Sequence, residues 1–425
     1  MNRPLIRVPS SRPLRTSSTS GATVAEAHDD VIELVRLLRD ALDGSGPAVL
    51  AEPAGPEDEV LPEVPDDVAV VVGTSGSTGR PRRVMLTADA LRASAEATAE
   101  RLGGHGRWLL ALPTTHVAGL QVVLRAALAG SDVTAIAPGP FRPETFVEAV
   151  QRMDAAAPLG GSKLLRLTSL VPTQLHRLLE GAGTPGGEAA VEALRSFDAV
   201  LVGGAALHPD LRARAEAAGV RVVMTYGMSE TCGGCVYDGV PLRGVRVRTD
   251  PTGRVLLSGR VLARGYLGVD DADSPFIDIH GGRWLRTEDL GELELSEDTM
   301  QITLTVLGRA DDVVVTGGEK VSASAVEAVL SGWGGLDEVA VVGTPDDQWG
   351  QVVVAVATTS GDVLSLDDLR AHVRDALGAA AAPRVLRVVD ALPLRGPGKP
   401  DRAELARLAA EAWAAAAGPD APVSN

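Results

Sequence analysis

The chain has 425 residues, of which 45% are hydrophobic and 23% are charged, as in an ordinary globular protein, and this length predicts two or three domains. No run approaches the roughly 18 apolar residues of a membrane span, so the sequence argues against an integral membrane protein. The net charge of −16 disfavours nonspecific binding to nucleic acid or to anionic membranes, so an anionic ligand needs local donors or a metal ion.

The first 25 residues are rich in arginine, serine and proline and lack the apolar core of a secretory signal. Their prolines also break the amphipathic pattern of an organellar transit peptide. We therefore predict a disordered or loosely ordered tail over residues 1–25. The only cysteines, Cys232 and Cys235, provide no disulfide framework, so we expect a cytoplasmic protein, for which a homodimer stays open.

From about residue 66, strand-like and helix-like segments alternate, which predicts βα units and a mainly parallel sheet with helices on both faces. Thr87 is a suitable N-cap for the first helix of this series. The predicted strands are 68–72, 108–112, 133–137, 164–171, 199–202 and 220–224. The predicted helices are 88–102, 117–128, one that begins at 143, 174–179 and 209–218.

After Cys235 polar and apolar residues alternate around turn signals, which indicates antiparallel hairpins. Beyond Asp311 the pattern predicts a smaller α+β unit with helices at 323–330 and 366–377, strands at 339–342 and 352–357, then a strand, a glycine loop and a terminal alanine-rich helix. The predicted fold class is thus α/β, with a large domain over 26–309, an antiparallel β-rich subdomain within it, and a small mobile C-terminal domain over 310–415.

A loop of hydroxyl residues and glycines follows the first strand of the alternating region. It consists of Thr74, Ser75, Gly76, Ser77, Thr78 and Gly79. Backbone N–H and side-chain O–H groups can converge on phosphate oxygens in such a loop, although no Gly-Lys-Ser/Thr ending makes it a Walker loop. Taken alone, it is more often merely a flexible turn.

Further motifs follow in a fixed order: TYGMSET from Thr225, WLRTEDLG from Trp284, GRADD from Gly308, TGGEK from Thr316 and PLRGPGK from Pro393. A tyrosine face can stack on a nucleobase, and a glutamate can hold Mg²⁺. Together with the loop at Thr74, the set resembles the adenylate-forming superfamily of acyl-CoA synthetases, luciferases and nonribosomal adenylation domains.

That resemblance implies a role for each matching residue. The β- and γ-phosphates of ATP would lie against Thr74–Gly79, with Ser229 at the α-phosphate and Glu230 on Mg²⁺. Adenine and ribose would contact Gly203, Gly204, Ala205, Tyr226, Gly227, Asp289 and Arg309. Asp311 would be the hinge, Gly317 and Gly318 would line the CoA channel, and Lys399, in the family's mobile lysine loop, would be the catalytic lysine of adenylation.

Three stretches, LPTTHVAGL from Leu112, SLVPTQL from Ser169 and TYGMSETCGGCVYDGVPL from Thr225, resemble the o-succinylbenzoate-CoA ligases in their short actinobacterial form. This implies ligation of 2-succinylbenzoate to CoA through an acyl-adenylate, with AMP and pyrophosphate released, in menaquinone biosynthesis. His116 and Gln174 would flank the acyl pocket, unless they are simply a buried histidine and a polar residue at a helix start.

Other readings stay open: a CoA ligase for another aromatic or aliphatic acid, an adenylation domain that loads a separate carrier protein, or a noncatalytic nucleotide-binding protein. The sequence also departs from the family pattern at Arg82 and Arg83, which replace the usual Lys-Gly, and at Glu288, which replaces glycine. The spacing of Cys232 and Cys235 resembles a redox motif, but we expect two ordinary buried thiols.

Overall fold

The computed structural model describes residues 2–7, 24–52, 59–74, 82–156, 164–180, 185–269, 274–296, 298, 300–331, 333–359, 361, 365–393 and 400–416. The chain divides into two compact units. The first comprises Met1–Val247, Leu257–Arg286 and Leu295–Thr303, and the second comprises Arg248–Leu256, Thr287–Glu294 and Leu304–Asn425.

The helices of the first unit lie between residues 24 and 217. They are α1 (Val24–Asp43), α2 (Ala88–Leu102), α3 (Val117–Ala129), α4 (Pro143–Ala155), α5 (Pro172–Glu180), α6 (Pro185–Arg195) and α7 (Pro209–Ala217). Its strands up to residue 241 are β1 (Asn2–Arg3), β2 (Leu5–Arg7), β3 (Ala48–Ala51), β4 (Val64–Pro65), β5 (Val68–Gly73), β6 (Arg83–Thr87), β7 (Gly106–Leu110), β8 (Val133–Ala135), β9 (Leu165–Leu170), β10 (Ala199–Gly203), β11 (Val222–Met228), β12 (Gly233–Tyr237) and β13 (Val240–Pro241).

The strands that follow are distributed over both units. They are β14 (Arg246–Thr249), β15 (Arg254–Ser258), β16 (Gly265–Tyr266), β17 (Phe276–Ile279), β18 (Gly282–Leu295) and β19 (Ile302–Arg309). The second unit continues with β20 (Val313–Thr316), β21 (Glu319–Ser322), α8 (Ala323–Leu330), β22 (Leu336–Asp346), β23 (Gly350–Thr359), α9 (Leu366–Leu377), β24 (Val385–Val388) and α10 (Arg402–Ala416).

The largest sheet of the first unit has the strand order β13-β12-β11-β10-β9-β7-β8, in which β8, β7, β9, β10 and β11 run parallel. Side chains of successive strand residues point to opposite faces. Leu109 packs with the buried side chains of α4 to α7, whereas Trp108 lies under Arg125 of α3. Helices therefore cover both faces, and the predicted mainly parallel α/β architecture is confirmed.

A second sheet of this unit has the order β16-β6-β5-β3-β2. Strands β2, β3 and β5 pair in parallel on one side of this sheet, and β6 and β16 continue it in antiparallel pairing on the other side. Strand β6 was not predicted, because we expected the loop after β5 to lead directly into α2. The phosphate-loop segment is therefore the connection of an antiparallel hairpin.

The second unit has a sheet of order β21-β20-β23-β22, with β24 added parallel to β23. Val326 of α8 and Leu369 and Val373 of α9 pack against one face of this sheet. Leu405 and Ala409 of α10 pack against the opposite face. The small α+β unit is thus confirmed, with α8 and α9 at the predicted bounds.

The N-terminal segment and the start of the second unit differ from the predictions. The tail prediction is wrong for residues 2–7, because β2 pairs in parallel with β3 and Leu5 is buried in the core beneath it; residues 8–23 lie outside the described part. The second unit also begins before residue 310, since it takes in Leu304–Arg309 and two earlier segments. The predicted pivot at Asp311 stays a prediction.

Thr87 provides a direct test of the helix signals in the sequence. It caps α2 as predicted, and its Oγ1 accepts a hydrogen bond from the Ala90 N–H at 3.1 Å. Replacing an N-cap threonine by alanine removes this acceptor and costs about 1 kcal/mol. We expect Thr87→Ala to lower the melting temperature by about 2–4 °C in a thermal scan, a size that fits one such loss. Thr87→Ser, which keeps the acceptor, is the control; equal melting of the alanine variant and the wild type would contradict the cap.

Candidate active site

The phosphate-loop segment begins and ends at a hydrogen-bonded base. Strands β5 and β6 pair up to Gly73 and Arg83, and the Thr74 N–H then donates to the Arg82 carbonyl oxygen at 2.8 Å. Thr74 Oγ1 also lies 3.3 Å from both the Arg82 N and its O atom. Ser75–Gly79 lie outside the described residues. Thr74 and Arg82, which flank this stretch, are thus fixed against one another, and the predicted phosphate contacts of the loop stay a prediction.

Arg82 and Arg83 have different surroundings. Arg83 is 3.0 Å from Glu52 and 2.8 Å from Glu59, and these hydrogen bonds raise the pKa of its guanidinium. Its charge is therefore matched by neighbouring carboxylates. Arg82 lies over the ring of Tyr266, 5.3 Å from the centroid. Of the two arginines that replace the family's Lys-Gly, Arg82 is the one placed with the site residues.

Tyr266 connects the phosphate-loop hairpin to Glu230. Strand β16 pairs with β6 so that Tyr266 is opposite Val84, and the Tyr266 hydroxyl donates to Glu230 Oε1 at 2.8 Å. Burial of Tyr266 and the nearby Glu230 carboxylate both raise the pKa of this phenol. The hydroxyl therefore keeps its proton at neutral pH and orients the carboxylate. Tyr266 was not predicted; the antiparallel pairing, which the sequence does not show, brings it there.

The predicted adenine-site residues lie at the carboxyl ends of β10 and β11. Gly203 is paired with Thr225, and a Cβ atom at Gly203 would lie 2.3 Å from Thr225 Oγ1. A Cβ atom at Gly227 would lie 2.1 Å from the Gly233 carbonyl oxygen. Only glycine fits at these two positions. Tyr226 lies next to Gly227, half-buried, at this edge of the sheet.

The neighbouring residues complete this edge. Gly204 has φ of +86° and, with Ala205, is exposed directly after β10. Ser229 and Glu230 lie in a short 3-10 turn, Ser229–Thr231, directly after β11. Parallel strands of an open α/β sheet present their carboxyl ends at a common edge, where ligands bind. The structure therefore brings together all the predicted adenine, α-phosphate and magnesium residues that belong to the first unit.

His116 and Gln174 follow the adjacent strands β7 and β9. The Gln174 side chain donates to the Ala111 carbonyl oxygen at 2.9 Å and accepts from the Val171 N–H at 3.1 Å. Its amide thus joins the ends of these two strands. This agrees with the alternative from the sequence, in which Gln174 is a polar residue at a helix start. His116 is the N-cap residue of α3, and its imidazole makes no cap hydrogen bond. Contact of either residue with an acid stays a prediction.

In the second unit, Asp289 is mostly buried, and its Oδ1 lies 3.9 Å from Arg309 Nη1. Thr287 fixes the preceding backbone, because its Oγ1 donates to the Val255 carbonyl oxygen and accepts from the Asp289 N–H. Glu288, the departure from the family pattern, is exposed and forms an ion pair with Arg254. Its added charge is therefore balanced locally.

Gly317 and Gly318 form the two-residue turn between β20 and β21. Their φ values are +58° and +84°, which glycine adopts without strain. The Gly317 N–H donates to the Trp349 carbonyl oxygen at 2.9 Å, and a Cβ atom at Gly317 would lie 3.0 Å from the Trp349 ring. Arg384 lies over the same ring, 4.7 Å from its centroid. Trp349 was not predicted, since nothing in the sequence links it to this turn.

Asp311 and Lys399 are the two remaining predicted site residues. Asp311 belongs to the short 3-10 turn Ala310–Asp312 that follows β19. Lys399 lies outside the described residues, but the segment that carries it has a closed base, because the Asp401 N–H donates to the Pro393 carbonyl oxygen at 2.8 Å. The roles of both residues stay predictions.

Comparison with known proteins identifies two matching families. Residues 14–267 match the AMP-binding enzymes, and residues 325–399 match the C-terminal domain of these enzymes. A protein from Mycobacterium tuberculosis described as a probable 2-succinylbenzoate–CoA ligase is 45% identical, over 88% of this chain and 94% of that protein. The 2-succinylbenzoate–CoA ligase of Geobacillus kaustophilus is 31% identical, over 92% of this chain and 79% of that protein.

A solved structure of a related enzyme is similar to this chain as well. The o-succinylbenzoate coenzyme A synthetase of Bacillus subtilis, in complex with ATP and magnesium ion, is 25% identical with a TM-score of 0.64, over 86% of this chain and 80% of that one. Within the described residues, no helix is long and apolar enough to cross a membrane.

The two cysteines are buried free thiols, as predicted, at 0% exposure. Burial raises the pKa of both, to about 12 for Cys235, so neither is a thiolate at neutral pH. We expect a thiol reagent such as dithionitrobenzoate to leave the native protein unlabelled over minutes and to label both thiols in guanidinium chloride. Rapid labelling of the native protein would contradict the burial of the two thiols and would favour a redox role for them.

Proposed function

The chain belongs to the AMP-binding enzymes, and we propose that it joins 2-succinylbenzoate to CoA in two steps, through an acyl-adenylate. The observation that carries the nucleotide chemistry is the contact of Tyr266 with Glu230 beside the hydrogen-bonded base of the phosphate-loop segment. The acid is inferred from the relatives, which carry this activity in their names and align over most of their length.

The first step transfers adenylate to the acid. A carboxylate oxygen attacks the α-phosphorus of ATP, the bond to the β-phosphate breaks, and pyrophosphate leaves. This step brings an anionic carboxylate against an anionic triphosphate, so its transition state needs preorganised positive charge and hydrogen-bond donors. We assign the phosphates to Thr74–Gly79, with Ser229 at the α-phosphate and Lys399 between the carboxylate and that phosphate.

The first unit offers a fitting carboxylate for Mg²⁺. Magnesium in phosphate-transfer sites is usually held by one or two carboxylates together with substrate phosphates and water. Glu230 meets this requirement, because Tyr266 fixes one of its oxygens without neutralising the charge. A magnesium ion held there would screen the charge of the phosphates. Glu230 would hold it, and Tyr266 would orient Glu230.

The nucleoside of ATP is assigned to residues in each unit. In the first unit, Tyr226 would stack on adenine beside Gly203, Gly204, Ala205 and Gly227. In the second unit, Asp289 would accept hydrogen bonds from the ribose hydroxyls, with Arg309 as its neighbour. The hydrogen bond from the Asp289 N–H to Thr287 suits an acceptor that must be oriented before the ligand arrives.

The acid would lie near the carboxyl ends of β7 and β9, beside His116. Gln174 supports this wall of the acyl pocket through its two backbone hydrogen bonds. In the second step the CoA sulfur attacks the acyl carbonyl carbon, the bond to the phosphate oxygen breaks, and AMP leaves. We assign the pantetheine to the Gly317–Gly318 turn and the Trp349 ring on it, with Asp311 as the pivot between the steps.

We further propose that the protein acts in the cytoplasm, where ATP and CoA are available to it, and a homodimer stays a prediction. Ligation of another acid to CoA, and loading of a separate carrier protein, are alternative outcomes of the experiment below.

The substrate is tested with purified protein, ATP, Mg²⁺, CoA and a panel of acids. We expect 2-succinylbenzoate to give AMP, pyrophosphate and the CoA thioester, measured by pyrophosphate release and mass spectrometry. Benzoate, acetate and a fatty acid are the comparison acids. Equal turnover of any of them would contradict the assigned substrate, and pyrophosphate exchange without thioester formation would favour loading of a carrier protein.

The role of Tyr266 is tested by removing its hydroxyl group. Tyr266→Phe deletes the donor that orients Glu230, so we expect the Mg²⁺ concentration for half-maximal adenylation to rise by roughly 10- to 100-fold, the loss that typically follows removal of a group orienting a metal ligand. ATP–pyrophosphate exchange at varied Mg²⁺ measures this.

Tyr237→Phe is the matched control, because it also removes a buried hydroxyl, which is bonded to Thr98 of α2 and to Arg125 of α3. We expect it to leave the Mg²⁺ dependence unchanged. An unchanged Mg²⁺ dependence in Tyr266→Phe would overturn the assignment of Glu230 and Tyr266.

A further inference from the structure

Arg402, the first residue of α10, joins three separate elements of the second unit. Its Nη2 donates to Asp312 Oδ2 at 2.9 Å, and its Nη1 donates to Glu327 Oε1 at 3.0 Å and to the Val341 carbonyl oxygen at 2.8 Å. These partners belong to the turn Ala310–Asp312, to α8 and to β22. One guanidinium thus fixes the start of α10 to the turn that contains the proposed pivot.

The partners of Arg402 are themselves held in place. Glu327 Oε1 also accepts the Val341 N–H at 2.8 Å, so the carboxylate joins α8 to β22 as well as to Arg402. Burial raises the pKa of Glu327, and the Arg402 guanidinium opposes that shift. The Asp312 and Glu327 side chains are only 18% and 21% exposed. Such partly buried, multiply bonded contacts fix geometry better than exposed ion pairs do.

The position of Arg402 in the chain relates this cluster to Lys399. Lys399 precedes Arg402 by three residues in the sequence. Asp401 is fixed too: its N–H bonds to Pro393, and its Oδ1 accepts from the N–H groups of Ala403 and Glu404 at the start of α10. The C-terminal end of the segment that carries Lys399 is therefore anchored within three residues of the lysine.

We propose that Arg402 is a positioning residue for adenylation, which fixes the end of the Lys399 segment to the turn Ala310–Asp312 through Asp312 and Glu327. This inference rests on the proposed function. Arginine is required because its planar fork reaches the carboxylates of two elements and a carbonyl oxygen together, whereas a lysine offers one compact ammonium. The Gly317–Gly318 turn is held by its own bond to Trp349, so the thioester step should not depend on Arg402.

The test compares Arg402→Ala, Arg402→Lys, Lys399→Ala and the double variant with alanine at both positions. ATP–pyrophosphate exchange with 2-succinylbenzoate measures adenylation, and single-turnover reaction of synthetic 2-succinylbenzoyl-adenylate with CoA measures the thioester step. A misplacement of about 1 Å can cost on the order of 10²-fold in rate. We expect Arg402→Ala to lower kcat of adenylation by roughly 10- to 100-fold, with KM for ATP and the thioester step within about 3-fold of wild type. Arg402→Lys should recover part of the loss.

The double variant separates positioning from general structural damage. If Arg402 acts through Lys399, removing it from a Lys399→Ala protein should cost little more, because the two effects do not add. Arg407→Gln is the matched control, since Arg407 forms ion pairs on the same helix but with the exposed Glu404 and Glu411; we expect wild-type rates. Circular dichroism and melting curves verify folding, and Asp312→Asn, which weakens only one contact, replaces Arg402→Ala if that variant does not fold.

The outcomes are distinct. Wild-type adenylation in Arg402→Ala, an equal loss in both steps, or additive losses in the double variant would overturn the inference while leaving the proposed function intact. A wild-type protein that forms no acyl-adenylate would instead contradict the proposed function.

Discussion

Parallel pairing of β7, β9, β10 and β11 is the constraint on which the first unit's site depends. Each of these strands ends at the same edge of the sheet, and each is followed there by residues that the chain separates widely. The pairing of β10 with β11 is close enough to exclude a Cβ atom at Gly203. Backbone hydrogen bonding therefore brings the residues proposed for adenine, the α-phosphate and the acid to one edge of the sheet.

A protein with a net charge of −16 must concentrate positive potential locally to bind a triphosphate. Individual arginines differ in whether neighbouring carboxylates match their charge. Arg83 is committed to Glu52 and Glu59, and Arg254 is committed to Glu288, so these arginines stabilise the surroundings. Arg82 lies instead on the ring of Tyr266 beside the phosphate-loop segment. Neighbouring residues of one type thus serve different purposes, decided by which carboxylates lie within reach.

The second unit likewise uses ion pairs to fix the position of a backbone segment, the start of α10. Its sheet has helices on both faces. Arg402 links the start of α10 to α8 and to the turn Ala310–Asp312. In the proposed mechanism Lys399 acts in one step only, and an anchored segment would present it at a smaller entropic cost than a free one.

The sequence alone predicted the helix ends that carry local signals. It also predicted candidate site residues that occur in short motifs. Thr87 and Gly130 mark the start of α2 and the end of α3 because capping and left-handed backbone conformations are local properties. The tertiary structure decided what depends on pairing across the chain. It brought Tyr266 into contact with Glu230, Trp349 with Gly317 and Arg402 with Asp312, and it bonded the Gln174 side chain to a backbone carbonyl oxygen. The sequence could not show these contacts, because strand register and packing between distant segments leave no periodic pattern in it.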